Sequence, residues 1–79
     1  MKLLIDIGNM RLKWAYQTTH NLEFGGAIVH QRAVYLSATM QSLLEQLKFC
    51  DQIAIANVAA PELGIELAEW FKKHWQIEP

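Results

Sequence analysis

Residues 2–17 read Lys2-Leu3-Leu4-Ile5-Asp6-Ile7-Gly8-Asn9-Met10-Arg11-Leu12-Lys13-Trp14-Ala15-Tyr16-Gln17. Lys2 to Ile7 is a short apolar run closed by Gly8-Asn9, which reads as a buried strand followed by a tight turn. The Gly-Asn pair tolerates the positive φ that a two-residue hairpin requires. From Met10 to Gln17, Met10, Leu12, Trp14 and Tyr16 alternate with Arg11, Lys13, Ala15 and Gln17. Period two with aromatic residues predicts a second strand, and a short turn between the two makes them antiparallel.

Thr18 to Asn21 is short and polar and predicts a second hairpin turn. Leu22 to Gln31 resumes an extended pattern through Phe24, Ala27, Ile28 and Val29, with Gly25-Gly26 marking a bulge or bend. Arg32 to Leu36 reads as a connection. Ser37 or Thr39 caps a helix whose apolar face is Met40, Leu43, Leu44 and Leu47, at i, i+3, i+4 and i+7. Gln52 to Val58, largely apolar up to Asn57, reads as a central strand covered on both faces. Pro61 and Glu62 suit the first turn of a second helix. Leu63, Leu67, Trp70 and Phe71 form its stripe, and Lys72, Lys73 and His74 sit where its C-terminal dipole favours cations. Trp75 to Ile77 reads as the start of a fifth strand.

The order is therefore three antiparallel strands, helix, strand, helix. A helical crossover returns the fourth strand parallel, with a right-handed connection. This α/β arrangement is ribonuclease H-like, strand order 3-2-1-4-5. A ferredoxin-like fold would need β-α-β from the first strand. No repeat, linker or low-complexity segment divides the 79 residues.

Composition narrows the function classes. A chain of this length buries only about 60% of the surface its unfolded form exposes, so its stability margin is thin. Hydrophobic residues make up 52% and charged residues 19%, a globular balance. Net charge is −1, which gives no electrostatic case for nucleic acid or an anionic membrane. Asp6 interrupts the apolar N-terminus, which is neither a signal peptide nor a membrane span. The single cysteine, Cys50, suits a reducing cytoplasm and reads as a buried, inert thiol. His20, His30 and His74 are scattered without metal spacing and read as surface or structural residues.

The chemistry lies in residues 6–13. Asp6 ends an apolar strand, so its carboxylate emerges beside the turn. Gly8 admits close backbone approach, and Asn9 offers both a donor and an acceptor. Lys13, on the outgoing strand, reaches back towards the turn as a point charge. A carboxylate for a metal ion or its waters, a glycine turn and a lysine for phosphate charge are the parts of a Mg-nucleotide site. The plainer alternative is an ordinary hairpin that Asp6 caps, with Lys13 in solvent. Asn57, at the end of the fourth strand, is a candidate lining residue because strand ends face the ligand crevice in open α/β sheets. Trp70 and Phe71 read as core.

Leu4-Ile5-Asp6-Ile7-Gly8-Asn9, followed by Arg11, Lys13 and Trp14, resembles the first phosphate motif of the type III pantothenate kinases, the Bvg accessory factor-like family. That motif runs apolar strand, Asp-x-Gly-Asn-Thr or Ser, two variable positions, Lys. Residues 53–62 are similar to the family's fourth strand and the helix that follows. The resemblance implies an actin-like ATPase fold, with residues 1–79 as an incomplete N-terminal nucleotide-binding domain. It implies a cytoplasmic transferase of coenzyme A biosynthesis that uses ATP to phosphorylate pantothenate. ATP, Mg2+ and a monovalent cation (K+ or NH4+) would be its cofactors, and a homodimer its assembly. Asp6, Gly8, Asn9 and Lys13 would bind nucleotide phosphate, with Asp6 also at the metal. Two departures stand out. Met10 occupies the Thr or Ser position and cannot donate a hydrogen bond to phosphate. The Gly-x-Asp-Arg motif that carries the family's proposed general base does not occur. Catalytic residues are therefore expected outside this chain, which by itself is expected to be inactive. The alternatives are a non-catalytic nucleotide-binding or regulatory module, or a piece of another actin-like ATPase or sugar kinase.

Overall fold

The computed structural model describes residues 1–30, 36–56 and 58–79. Its elements are β1 (Lys2–Ile7), β2 (Arg11–Gln17), β3 (Leu22–Val29), α1 (Ala38–Glu45), β4 (Gln52–Ala56) and α2 (Pro61–Trp75). One sheet forms in the order β3-β2-β1-β4, with β1 antiparallel to β2 and parallel to β4. This is the expected mixed α/β topology and is compatible with an actin-like half-domain.

Alternation along β1 divides the sheet into two faces. Leu3, Ile5 and Ile7 are fully or almost fully buried and join Leu12 and Tyr16 of β2 and Ile53 of β4. Against them pack Met40 and Leu44 of α1 and Leu63, Leu67, Trp70 and Phe71 of α2. Both helices therefore cover the same face. Each aliphatic side chain buried there contributes about 1.5–3 kcal/mol. Trp75 closes the aromatic end of this core, with its ring centroid 4.9 Å from that of Phe71. The expected stripe of α2 thus meets the sheet, and Trp70 and Phe71 are core residues. Of the stripe expected for the first helix, Met40 and Leu44 meet it, while Leu43 is only half-buried and Leu47 lies past the helix end at Glu45.

Caps follow the chemistry of the residues at the helix ends. Ser37 is the N-cap of α1, its hydroxyl accepting the Met40 amide at 3.2 Å. Thr39, the other candidate, lies inside the helix. At the end of α2, Gln76 adopts a left-handed conformation with φ of 59°. Its amide donates to the Lys72 carbonyl at 3.1 Å, the bond of an αL closure, and that of Ile77 donates to the Phe71 carbonyl at 3.5 Å. This corrects the expected strand over Trp75 to Ile77. Trp75 belongs to the helix because its ring is needed in the core, and the closure turns the backbone before Ile77 can extend.

Two other expectations need correction. The fourth strand lies at a sheet edge, but it spans Gln52–Ala56, not Gln52 to Val58, and is not covered on both faces. With both helices on one side, Ile53 is buried while Ala56 is exposed. The third strand stops at Val29, and His30 leaves it to become buried. Most of the expected connection over Arg32 to Leu36, and Gln31 before it, lies outside the described residues.

The bulge foreseen at Gly25-Gly26 is present. Trp14 pairs with Gly26 and Ala15 with Phe24, leaving Gly25 without a partner in the ladder. The reason is the Trp14 ring. A Cβ on Gly25 would lie 2.2 Å from its Cδ1, and one on Gly26 2.6 Å from its Cζ2. Only glycine lets the indole lie across β3. Gly26→Ala should therefore displace the ring and lower stability by about 1–3 kcal/mol in urea denaturation. Unchanged stability would mean that the ring yields freely.

Candidate functional site

The β1–β2 hairpin decides which side chains meet. Its register pairs Asp6 with Lys13, and the parallel neighbour of Asp6 on β4 is Ala56. All three therefore lie on the face that the helices leave open. A shallow groove of about 320 Å3 runs over this face, and among the described residues Asp6 and Lys13 are the charged ones that line it. Its floor includes Leu4, Ala15, Ala54 and Ala56, small or apolar residues that keep water-bonding groups away from the charged pair.

Asp6 and Lys13 are neighbours without being consumed by one another. No ion pair within 4 Å joins them among the described residues, where the salt bridges are Met1–Asp51, Lys48–Glu23 and Lys72–Glu78. Lys13 is exposed. Oδ1 of Asp6 is shut off from solvent and has no hydrogen-bond partner. Leaving a polar group buried and unpaired costs roughly 1–3 kcal/mol, more for a charged one. Glu66 Oε2 is likewise buried and unpaired among the described residues. No hydrogen bond joins Oδ1 of Asp6 to the turn, so this atom does not cap it.

The turn over Gly8 to Arg11 is held from outside the hairpin. The Gly8 amide donates to the Arg11 carbonyl at 2.8 Å. The Gly8 carbonyl accepts from Nε2 of His30 at 2.7 Å, and the His30 amide donates to the Met10 carbonyl at 2.8 Å. The Ala59 amide donates to the Ile7 carbonyl at 2.9 Å and ties the loop before α2 to the same end of β1. No described residue of the turn has positive φ, which corrects the expected primed hairpin. The glycine serves another purpose here: a Cβ at Gly8 would sit 3.2 Å from the Arg11 carbonyl oxygen, tighter than an ordinary contact with a backbone atom that the turn holds in place. Asn9 and Met10 are exposed at the tip, Met10 to 60%.

The structure thus brings Asp6, Gly8, Asn9 and Lys13 to one hairpin. Asn57 lies outside the described residues. Among the described residues no group of three or more His, Cys, Asp or Glu side chains could hold a metal by itself. Asp6 fits a narrower role, because Mg2+ takes one or two carboxylates and completes its shell with phosphate oxygens and water. Since Oδ1 is shut off from solvent, that role would fall to the other carboxylate oxygen. His30 is the residue that sequence reasoning placed only as structural. Its position just past a run of β-formers carried no signal that it would reach back 22 residues to Gly8. His74 stacks on Trp70, with centroids 4.5 Å apart, and His20 is exposed. Cys50 is buried, and burial pushes its thiol up from the ordinary value, so it stays protonated and inert. No helix among the described residues is long and apolar enough to cross a membrane.

Comparison with known proteins agrees with the resemblance read from the first motif. The chain is 30% identical over all 79 residues to a type III pantothenate kinase of Nitrosococcus oceani. It spans 29% of that protein's length. No protein-family model and no solved structure matches it.

The open bonding capacity of Asp6 has a measurable consequence. Asp6→Ala should leave the ligand-free chain at least as stable as the parent in urea denaturation, since the substitution removes an unpaired buried oxygen. A loss of more than about 1 kcal/mol, the usual cost of deleting a cap, would make Asp6 a structural capping residue instead.

Proposed function

We propose that this chain is the phosphate-holding first segment of an ATP-dependent kinase that phosphorylates pantothenate, built on an actin-like fold. The observation that carries the reading is the Asp6–Lys13 pair on one groove, next to a glycine turn. The similarity to a pantothenate kinase along the whole chain supports the choice of substrate.

In this reading Lys13 places a positive charge against the ATP phosphates, and Asp6 holds Mg2+ or its bound waters. Gly8 allows the backbone to approach the phosphates, and Asn9 supplies a donor at the tip. When bound, Mg2+ neutralises charge that develops on the phosphate oxygens. Phosphoryl transfer relies mainly on positioning and electrostatic stabilisation, which is what these residues supply. The γ-phosphoryl group passes to a hydroxyl of pantothenate, whose proton goes to a base. No residue of this chain is assigned as that base, to adenine or to the monovalent cation. Cytoplasmic location and a homodimer belong to the same proposal. A second reading, a nucleotide-binding module without catalysis, is favoured by Met10, which puts an exposed thioether where the motif has a hydroxyl.

Titration of the chain with Mg-ATP, followed by amide NMR, tests the proposal. Shifts should concentrate at Asp6 and Gly8 to Lys13 and vanish in Asp6→Ala and Lys13→Ala. Shifts spread evenly, or none at millimolar nucleotide, would sink it. Replacing the matched segment of the Nitrosococcus protein with this chain separates the two readings. Pantothenate-dependent ADP release should persist, and Lys13→Ala should lower it by roughly 10²-fold or more. Nucleotide binding without any turnover would select the module.

Met10→Thr should tighten Mg-ATP binding. A hydrogen bond to a charged partner is worth about 1.5–3 kcal/mol, so calorimetry should register about tenfold or more. Equal affinity would mean that position 10 does not touch phosphate.

A further inference from the structure

The geometry points to His30 as a positioning residue for the Gly8–Arg11 turn, an inference that rests on the phosphate-binding reading above. His30 is 5% exposed, the only buried polar residue of the described core. It grips the turn twice: through its ring to the Gly8 carbonyl at 2.7 Å, and through its amide to the Met10 carbonyl at 2.8 Å. A carbonyl oxygen only accepts, so Nε2 carries the hydrogen.

The grip matters because of the turn's own shape. A primed two-residue hairpin is held by positive φ at its centre and matches the twist of its strands. This turn has no positive φ. Its conformation is therefore set from outside, by a residue that has just left β3, two strands away from β1 in the sheet order. Fixing the Gly8 carbonyl fixes the peptide plane between Gly8 and Asn9. The Asn9 amide on the other side of that plane is aimed by the same bond. The geometry of this peptide and the position of Lys13 then set the shape an anion would meet at the turn. His30 does not line the groove that Asp6 and Lys13 share. It acts on the ligand only through the loop.

Two variants of the 79-residue chain separate this role from packing. His30→Leu fills the space without a donor, and His30→Gln returns an N–H to the same region. In His30→Leu, amide exchange at Gly8 should speed up about fivefold while Leu3 and Ile5 stay protected. Mg-ADP affinity should fall by a similar factor, the equivalent of one ordinary hydrogen bond. His30→Gln should recover most of both effects. Unchanged exchange in His30→Leu, equal losses in both variants, or unfolding of both would overturn the proposal and leave His30 a packing residue. If the unaltered chain binds no Mg-ADP, the phosphate reading fails, and the exchange measurement still decides whether His30 holds the turn.

Discussion

The hydrogen bonding of β1 on both of its edges is the constraint on which the rest depends. It pairs antiparallel with β2 and parallel with β4, so neither its register nor its face can slip without inverting every neighbour. With Leu3, Ile5 and Ile7 committed to the helices, Leu4 and Asp6 have no choice but the open face. The same register sets Lys13 across from Asp6. A carboxylate beside an apolar groove is thus the by-product of burying three aliphatic side chains on the other side. Any one-residue slip that moved Asp6 into the core would expose those side chains and bury an unpaired charge.

The site end of the sheet is built with tolerances that the core does not share. Gly8, Gly25 and Gly26 each occupy positions where a Cβ would meet the Arg11 carbonyl or the Trp14 ring. At Gly25 and Gly26 the glycines let a large aromatic lie flat, which bends β3 at its bulge. That bend lies between the body of β3 and its end, where His30 departs towards the turn. The aromatic packing and the turn geometry are therefore connected through one strand. The polar groups of the turn are satisfied by backbone and by His30, whereas Oδ1 of Asp6 is not. Native structures leave few buried polar atoms unpaired, and the exceptions call for a reason.

The open face sets the chain apart from a finished two-sided α/β layer. Leu22 and Phe24 are 66% and 70% exposed, and Ala54 and Ala56 line a groove with no helix over it. A sheet with helices on one face has buried half of what it could, and apolar surface of this kind is where further contacts form. The chain spans less than a third of the curated relative it matches.

Period-two alternation in residues 2–17, the helical stripes at Met40 and Leu63, and the cap chemistry of Ser37 and Pro61 made the element order and the strand order legible. They did so because each rests on local geometry that the residue types impose. The Asp6–Lys13 juxtaposition followed from the same hairpin, since register is fixed by a short turn and by which face is apolar. The identity of the covered face and the helical fate of Trp75 were not legible. They depend on both helices choosing the same side of the sheet, a choice made by the total apolar area they bury together. The grip of His30 on Gly8 was hidden for a related reason. A hydrogen bond between residues far apart in sequence leaves no periodicity behind it, and only the packed sheet brings the end of the third strand to the first turn.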